Sequence, residues 1–599
     1  MSPRLGTDAV RLWAFRIIGT LLFAMLGFRL FHLQVLHSEE YREKADSNRF
    51  RIIEIPAPRG AMRDRHNRLL VTNRPAYSCY GVPRELWRDK RSMELLEQIL
   101  GFTEGFLPQE LRPNRGTFAP VRIKRDLSFE ELSKFEELRD LIPGAFLEME
   151  QKRAYPDRLA PHAIGYVSEI SKEELSRWPG LEMGDLVGKR GLERLHDAEL
   201  RGRNGRRVSV VNAHGQEVGA VERLRRVEPI PGRELWLTLD LELQALAESL
   251  LVGKIGAIAA MDVRTGGILA LASAPSYDPN IFAGRVNVSE WNVLLEDPSK
   301  PMLNRAVQTM YPPGSTIKMA MLLEGLESEA VTPEWSIHCP GHFTFGNRTF
   351  KCWRKGGHGR VSALTAIEAS CDVYFYRLGL LIGVDGVHRA MSRFHLGRLT
   401  GIDQTSEAEG LAPSEAYYNK RYGPRGWTKG FILSIAIGQG EVLVTPVQMC
   451  AYAAAAADGK VWRQPHLVRA IYDPVTGKVA TPPPPTDEPL NASAENIALI
   501  REGMRRVVWG ESGTARGQRN QEVHIAGKTG TAQNAHGDDH AWFVGFAPVE
   551  DPIIATCVLV EFGEHGSSAA APLSNLLMRR YVLAERGVEP GLALAGDSH

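Results

Sequence analysis

The feature that most constrains the fold is the segment Tyr311–Lys318, which reads YPPGSTIK. Its two prolines keep the approach extended, Gly314 permits a sharp turn, and the apolar run Met319–Leu323 predicts a helix. On such a helix Ser315 and Lys318 share a face. A serine hydroxyl becomes nucleophilic only when a neighbour takes its proton, and a lysine can do so if burial or another cation keeps it neutral.

The Ser-x-x-Lys spacing alone has little weight, because it also occurs on ordinary helices as a cap residue followed by a solvated lysine. Two further segments follow it in the order typical of serine acyl-transferases, Ser370-Cys371-Asp372 and Lys528-Thr529-Gly530-Thr531. Three such segments in order make coincidence improbable.

The last segment is predicted to lie on a hairpin strand, which Val523–Ala526 leads into and with which Ala541–Phe546 pairs. Gly530 would let a substrate backbone lie against the strand edge. Lys528 would supply a second positive charge that helps to keep Lys318 deprotonated.

With these motifs the chain resembles the penicillin-binding proteins, the D,D-transpeptidases that cross-link peptidoglycan, over most of residues 50–585. Gly256–Ser273 is similar to the first hairpin of their transpeptidase domain. One position departs from the Ser-Asp-Asn pattern, since Asp372 cannot donate an amide hydrogen bond when it is ionised. Members of the rod-elongation subclass often carry Ser-x-Asp, so the departure narrows the subclass.

The resemblance implies an α/β (α+β) fold, with a membrane anchor, an extended pedestal and a transpeptidase domain of the penicillin-binding and serine β-lactamase type. That domain has an antiparallel five-stranded sheet flanked by helices. The resemblance also implies site roles, with Ser315 as nucleophile, Lys318 as general base and Ser370 as proton relay. Asp372 would hold Ser370 and Lys318. Lys528 and Thr529 would receive the substrate carboxylate beside Gly530, and the N–H groups of Ser315 and Thr531 would form the oxyanion hole.

Length and charge agree with a multi-domain envelope protein. At 599 residues the chain suggests about four units of ~150 residues. The net charge of +1 implies no partner through bulk electrostatics, and no nucleic acid is expected. Arginines before residues 17–28 and Glu39 and Glu40 after them place the N-terminus in the cytoplasm. A cleaved signal peptide is the alternative, but no small-x-small site precedes Ser38.

We expect residues 1–11 in the cytoplasm, 12–36 as a transmembrane anchor, 37–230 as a non-catalytic pedestal with a helical head at about 87–150, 231–585 as the transpeptidase domain and 586–599 as a flexible tail. The bulk of the chain would lie in the periplasm, at the inner membrane. Linkers are predicted at Arg225–Arg233 and at Pro482–Pro485.

Charged residues recur in three pedestal segments that match the class B members of the family. These segments are Pro58–Arg65, Arg153–Pro156 with His162–Gly165, and Gly188–Glu193 with Leu200–Gly202. We interpret them as a structural network of ion pairs rather than as catalytic groups.

Cysteine spacing provides a separate hypothesis. Cys339, Cys352, His358 and Cys371 fall as C-x12-C-x5-H-x12-C, and three thiolates with one imidazole suit tetrahedral zinc. A disulfide that leaves one thiol free, or three buried thiols, are alternatives. Some rod-elongation transpeptidases hold a structural zinc with a set whose last cysteine lies inside Ser-x-Asp. His338 and His342 are possible substitute ligands, and Cys79, Cys450 and Cys557 are expected in the core.

The predicted function is therefore a β-lactam-sensitive peptidoglycan D,D-transpeptidase of the elongation type, which acts on stem peptides through a serine acyl-enzyme. A division-type transpeptidase, a β-lactam-binding hydrolase and a silent scaffold are the alternatives. Partners implied by the resemblance are a polytopic glycosyltransferase of the rod system and a periplasmic scaffold protein.

Overall fold

The computed structural model describes residues 6–38, 50–117, 120–181, 184–211, 217–220, 226–283, 288–483, 485–534 and 537–588. Two compact units divide the chain. The first unit contains residues 1–57, 75–150 and 203–230, and the second contains 58–74, 151–202 and 231–599. Glu39 and Glu40, the tail from residue 589 and single residues of the two predicted linkers lie outside the described residues, so predictions there are untested.

The N-terminal helix Gly6–Phe31 continues as a short π-helical segment, His32–Leu36. Arg11–Leu36 contains an 18-residue stretch with a mean hydropathy of 1.7, of which none is buried, and it is the one candidate membrane span among the described residues. Large apolar side chains such as Phe23 are exposed. A helix that is apolar and uncovered needs an apolar surrounding, so this segment is suited to a single-pass anchor.

The rest of the first unit combines short helices with small sheets. Its helix Lys90–Leu100 begins where the Asp89 side chain accepts the N–H of Arg91 and ends at Gly101, whose φ is +69°. Both features are ordinary helix boundaries. The helices are Pro83–Leu86, Lys90–Leu100, Phe106–Leu111 and Phe129–Glu137, and the strands lying wholly within the unit are Phe50–Ile55, Val121–Lys124, Gly205–Val211 and Glu217–Ala220. Two longer strands, Leu69–Gly81 and Ala145–Ala154, have residues in both units.

A five-stranded antiparallel sheet forms the centre of the second unit, as the sequence predicts. Its strands are β1 (Gly256–Asp262), β2 (Ile268–Ala274), β3 (Ala526–Ala532), β4 (His540–Ala547) and β5 (Ile554–Val560), in the order β2-β1-β5-β4-β3. The predicted hairpin is β3 and β4, paired from Ala526 with Phe546 to Ala532 with His540. Strand β3 is therefore at an edge of this sheet.

Helices cover the central sheet. The alanine-rich helix Pro446–Asp458 packs on β1, β4 and β5, and small side chains allow this close approach. The other helices of the unit are Pro161–Ile164, Gly191–Leu195, Asp197–Arg201, Leu241–Leu250, Val288–Glu296, Arg305–Gln308, Lys318–Glu327, Ala363–Glu368, Asp372–Arg393, Glu415–Tyr422, Gly430–Ile435, Ala494–Trp509 and Ala571–Glu585. Its remaining strands are Met62–Arg63, Val167–Glu169, Leu186–Gly188, Glu234–Leu237, Ser336–Cys339, His342–Phe345, Arg348–Lys351, Gly359–Ser362, Val461–Arg463, Val468–Tyr472, Val479–Ala480 and Asp487–Pro489.

The charged segments that the sequence places in the pedestal meet as buried ion pairs within the second unit. Arg59 lies 2.7 Å from Glu193 and 2.9 Å from Asp197, and Arg153 lies 2.7 Å from Glu193. Burial opposes the charge of Arg59, yet the two carboxylates raise its pKa. Since removing one member would leave a buried charge unpaired, this arrangement supports the structural interpretation.

His162 gives the second unit a pH-dependent stability. Its ring is buried and Nε2 lies 2.7 Å from the Pro301 carbonyl oxygen. Burial lowers its pKa from 6.5 to about 4. The unfolded chain therefore binds the proton more readily between these values, so stability should fall as pH drops from 6.5 towards 4, by roughly 3 kcal/mol in total.

The test compares the full-length protein with His162→Gln, which keeps a donor near Pro301 but cannot titrate. We expect the difference in Tm between the two proteins to shrink as the pH is lowered. His338→Gln, at an exposed position, serves as the control. A Tm difference independent of pH would contradict the assignment.

Candidate active site

Ser315 lies on a turn that leads into a helix, which we call the motif helix (Lys318–Glu327). Residues Gly314–Ile317 form a 3-10 turn that leads into the helix Lys318–Glu327, as the proline and glycine pattern predicts. Gly314 has φ +55°, and a Cβ there would lie 2.6 Å from the carbonyl oxygen of Thr531. Glycine is therefore required for this turn to lie against β3. Ser315 is half-buried at the turn, and Lys318 is fully buried behind it.

Lys318 connects the helix Lys318–Glu327 to the second motif. Its Nζ donates to Asp372 Oδ1 at 2.6 Å, to the Ser370 carbonyl oxygen at 3.0 Å and to Ser370 Oγ at 3.2 Å. The Phe375 ring centroid lies 5.3 Å from the same nitrogen. Ser370 adopts φ +53°, which is uncommon for a residue with a side chain. This backbone holds its hydroxyl towards the two lysines.

Lys528 reaches the same hydroxyl from β3. Its Nζ donates to Ser370 Oγ at 2.9 Å and to the Thr529 carbonyl oxygen at 2.9 Å. Burial, together with the charge of Lys318, holds the pKa of Lys528 well below its usual range, and Asp372 acts in the opposite direction. The sequence-based expectation that Lys528 helps to keep Lys318 deprotonated stays a prediction.

The rest of the third motif lines the edge strand β3. Thr529 Oγ1 lies 2.6 Å from Thr514 Oγ1, and the Thr531 carbonyl oxygen accepts Gln439 Nε2 at 3.2 Å. Gly530 has a further role beside the one that the sequence predicts. A Cβ at this position would lie 2.8 Å from Thr316 Cγ2, so glycine lets the turn that carries Ser315 pack against the strand.

The predicted metal ligands converge. The ligand atoms of Cys339, Cys352, His358 and Cys371 all lie within 4.8 Å of one another. His358 Nδ1 lies 3.7 Å from Cys339 Sγ and 3.5 Å from Cys352 Sγ. Two ligands of one tetrahedral zinc, a sulfur and a nitrogen, would be about 3.6 Å apart. The four side chains therefore fit this metal.

Two thiols of this cluster are tightly coupled. The contact with Cys371 and the hydrogen bond with His358 lower the pKa of the Cys352 thiol, whereas the same contact and burial raise the pKa of Cys371. The buried Nε2 of His358 has no hydrogen-bond partner among the described residues.

The other predicted cysteines and histidines are placed elsewhere. All six cysteines have free thiols, so no disulfide joins any pair of the cluster. His338 and His342 are exposed and lie outside it. Cys79, Cys450 and Cys557 are fully buried in hydrophobic clusters, as expected.

Trp353 is a site residue that the sequence reasoning missed. Its backbone N–H donates to Asp372 Oδ2 at 2.9 Å, and its indole Nε1 donates to the Ala369 carbonyl oxygen at 3.0 Å. These bonds hold the residues on both sides of Ser370-Cys371. A signal was available, because Trp353 directly follows the predicted ligand Cys352, but only the fold shows which groups Trp353 contacts. Thr514 and Gln439 likewise gained a role only through their contacts.

Together, the edge strand, the half-buried serine and the two buried lysines define a serine acyl-transferase site. A sequence model of the penicillin-binding protein transpeptidase domain matches residues 256–579, and one of the penicillin-binding protein dimerisation domain matches residues 54–237. The chain belongs to the penicillin-binding protein transpeptidases.

Named relatives narrow the class. The peptidoglycan D,D-transpeptidase MrdA of Acinetobacter baumannii is 37% identical over 571 residues, which cover 91% of this chain and 84% of the relative. MrdA of Escherichia coli K12 is 31% identical over 614 residues, covering 96% and 95%. The enzyme is therefore a penicillin-sensitive serine-type peptidoglycan D,D-transpeptidase of the elongation type, as the sequence predicts.

Solved structures agree in fold. PBP2 in complex with MreC from Helicobacter pylori has a TM-score of 0.75 at 30% identity, covering 90% of this chain and 99% of that chain. A chain of a peptidoglycan synthase complex that coordinates polymerization and crosslinking has a TM-score of 0.72 at 32% identity, covering 98% and 100%. The predicted pedestal and transpeptidase architecture is confirmed.

Proposed function

We propose that Ser315 forms the acyl-enzyme of this transpeptidase. Its Oγ attacks the carbonyl carbon between the two terminal D-alanines of a stem peptide, and the terminal D-alanine leaves with a proton on its amine. An amine of a neighbouring stem peptide then attacks the ester carbonyl and releases Ser315. The observation that supports this role is the position of Ser315, half-buried at a turn fixed against β3 and one helical turn from the buried Lys318.

Lys318 accepts the proton of Ser315 in this proposal. The ammonium that forms is stabilised by Asp372 at 2.6 Å and by the face of Phe375. Ser370 relays a proton towards the leaving amine, because its Oγ is within hydrogen-bond reach of both Lys318 and Lys528. No cofactor is required for these steps.

The substrate backbone binds along β3. An edge strand has unpaired N–H and C=O groups that an extended peptide can use. The N–H groups of Ser315 and Thr531 stabilise the oxyanion, since the turn at Gly314 lies against the backbone of Thr531. Thr529 and Lys528, next to Gly530, receive the substrate's terminal carboxylate.

Labelling with a fluorescent penicillin, followed by mass spectrometry of the labelled peptide, tests the assignment of the nucleophile. We expect the adduct on the peptide that contains Ser315. An adduct on Ser370 would reverse the roles of the two serines.

A structural zinc held by Cys339, Cys352, His358 and Cys371 is proposed as well. When bound, the ion would fasten the strands Ser336–Cys339 and Gly359–Ser362 to the start of the helix Asp372–Arg393. The order that a bound ion gives to this segment would extend to the catalytic groups through Trp353, which follows Cys352 and whose backbone N–H binds Asp372.

The zinc proposal predicts about one equivalent of zinc in protein purified without chelators. Cys352→Ser and His358→Ala should lose the metal, lower Tm by about 5 °C or more and slow penicillin acylation, because a structural site contributes folding free energy directly. Cys79→Ser, at another buried cysteine, should keep the zinc and the acylation rate. Metal-free protein with normal acylation in His358→Ala would contradict the proposal.

Trp353 is proposed as a positioning residue for Asp372. Trp353→Phe removes the indole N–H that binds the Ala369 carbonyl oxygen but leaves the four zinc ligands intact. We expect the rate constant of penicillin acylation at saturation to fall about tenfold, roughly the effect of one neutral hydrogen bond, with little change in the concentration for half-saturation. Trp236→Phe, whose Nε1 has no partner among the described residues, is the matched control. An unchanged rate constant would make the contact purely structural.

Domain boundaries, localisation and partners complete the proposal. We retain residues 12–36 as a single-pass anchor, 37–230 as the pedestal and 231–585 as the transpeptidase domain, with the bulk of the chain in the periplasm at the inner membrane. A rod-system glycosyltransferase and a periplasmic scaffold are the proposed partners. Support comes from similarity to PBP2 bound to MreC and to a chain of a peptidoglycan synthase complex.

A further inference from the structure

A strongly basic surface lies beside the active site. Between Ser336 and Ser362 the sequence contains five cationic residues and no acidic one. The structure places all five at exposed positions, and none forms an ion pair with any residue of the described ranges. We call them the basic hairpin surface, which consists of Arg348, Lys351, Arg354, Lys355 and Arg360.

Some other cations of this unit do form ion pairs. Exposed Arg389 lies 2.7 Å from Glu324, and Arg506 lies 2.8 Å from Glu502. In the basic hairpin surface, Arg348 instead stacks over the Phe350 ring and Arg360 contacts the Ser336 hydroxyl. Neither neighbour neutralises the charge, so the surface keeps a concentrated positive potential.

The surface is held in place rather than suspended on a free loop. The strands His342–Phe345 and Arg348–Lys351 pair antiparallel, with His342 opposite Lys351 and Phe343 opposite Phe350. Both phenylalanines pack on Tyr376, whose hydroxyl donates to the Lys351 carbonyl oxygen at 3.0 Å. Arg348 shares the face of the two phenylalanines, whereas Lys351 projects with His342 from the opposite face, so the basic hairpin surface includes both sides of the hairpin.

The connection to the catalytic groups is short. Arg354 and Lys355 directly follow Trp353, whose backbone N–H binds Asp372 at 2.9 Å. A ligand on this surface would therefore lie beside the site where Ser315 acts.

We propose that the basic hairpin surface binds carboxylates of the polymeric peptidoglycan strand while one of its stem peptides occupies the active site. This rests on the proposed function, which makes a stem peptide the donor. Every uncleaved donor stem ends in a carboxylate, so a strand with many stems is a polyanion. Five exposed cations on one short segment offer several contacts to such a ligand, and each attraction is screened beyond a Debye length of about 8–10 Å.

Binding is tested with full-length enzyme in detergent, first acylated with unlabelled penicillin so that the catalytic site is closed. The probe is a soluble, uncross-linked glycan strand with pentapeptide stems and a fluorophore, followed by anisotropy at low and high salt. The triple variant Arg348→Glu, Lys351→Glu, Lys355→Glu should bind about tenfold more weakly than wild type and lose most of the salt dependence. The matched variant Lys172→Glu, Lys460→Glu, Lys478→Glu makes the same charge change at exposed positions elsewhere and should bind within about twofold of wild type.

Two further measurements show whether a loss of strand affinity is due to the carboxylates or to damage at the catalytic site. Amidation of the strand carboxylates should weaken binding to the wild-type enzyme. The remaining affinity should be about that of the triple variant for untreated strands. Fluorescent penicillin labelling of the triple variant should match wild type, because a small β-lactam does not need the surface; failure of labelling in wild type would contradict the proposed function instead. Equal strand affinity of wild type and triple variant would overturn the inference. Undiminished binding of amidated strands would also overturn it, because the strand carboxylates would then not provide the affinity.

Discussion

Ser315→Ala is expected to abolish covalent labelling by a fluorescent penicillin. The substitution removes the only atom that forms the ester, and it leaves a small side chain at a half-buried position of the turn. Folding should be preserved, with Tm within a few degrees of wild type, because no packed group is lost. Gel fluorescence after incubation with excess label, together with a thermal unfolding scan, measures both quantities.

Two other serines provide the comparison. Ser328→Ala, at the far end of the motif helix, should label as wild type does. Ser370→Ala should still label, but more slowly, because the relay and not the nucleophile is lost. Full labelling of Ser315→Ala would contradict the assignment of Ser315 as the nucleophile. Labelling of every protein that keeps the Ser315 hydroxyl, and of none that lacks it, would support the assignment.

Lys318→Ala should slow penicillin acylation by about 10²–10⁴-fold, the contribution usually made by a positioned proton acceptor. Some loss of stability is expected as well, since Asp372 would lose the partner that lies 2.6 Å away and remain largely buried. Single-turnover acylation at saturating penicillin separates the slower chemistry from weaker binding.

The control for this prediction is Lys420→Ala on the exposed helix Glu415–Tyr422, which should acylate normally. Lys528→Ala discriminates between the two buried lysines, since Lys528 also reaches Ser370 Oγ. If Lys318→Ala acylated at the wild-type rate while Lys528→Ala did not, the general base would have to be reassigned to Lys528.

Local sequence determined the parts of the site that depend on chain periodicity and special residues. The prolines and Gly314 set the turn, so the helix carrying Lys318 begins where the pattern predicts. Two strand-like segments on either side of a polar turn, Val523–Ala526 leading into Lys528 and Ala541–Phe546 returning, predicted the hairpin of β3 and β4. The three motifs in their order indicated the family. The family in turn implied the five-stranded sheet, because this set of motifs is typical of one fold.

Contacts between residues that are distant in the sequence could not be predicted from local sequence patterns. Lys318 and Ser370 are 52 residues apart, and Lys528 and Ser370 are 158 apart, so their meeting at one hydroxyl depends on how the sheet and helices pack. The strained φ of Ser370 and the two bonds of Trp353 are likewise products of packing. Nothing in the residue types near Trp353 specifies a partner.

The cysteines show most clearly which features the sequence determines and which the packing decides. Spacing alone left zinc, a disulfide and plain buried thiols open, because the distance between side chains is not set by the number of residues between them. The tertiary structure brings Cys339, Cys352 and Cys371 around His358. All six cysteines are free thiols, and none forms a disulfide. Sequence determined which groups can react or bind a metal; packing decided which of them lie within bonding distance, since burial and long-range contacts fix geometry that local propensity does not.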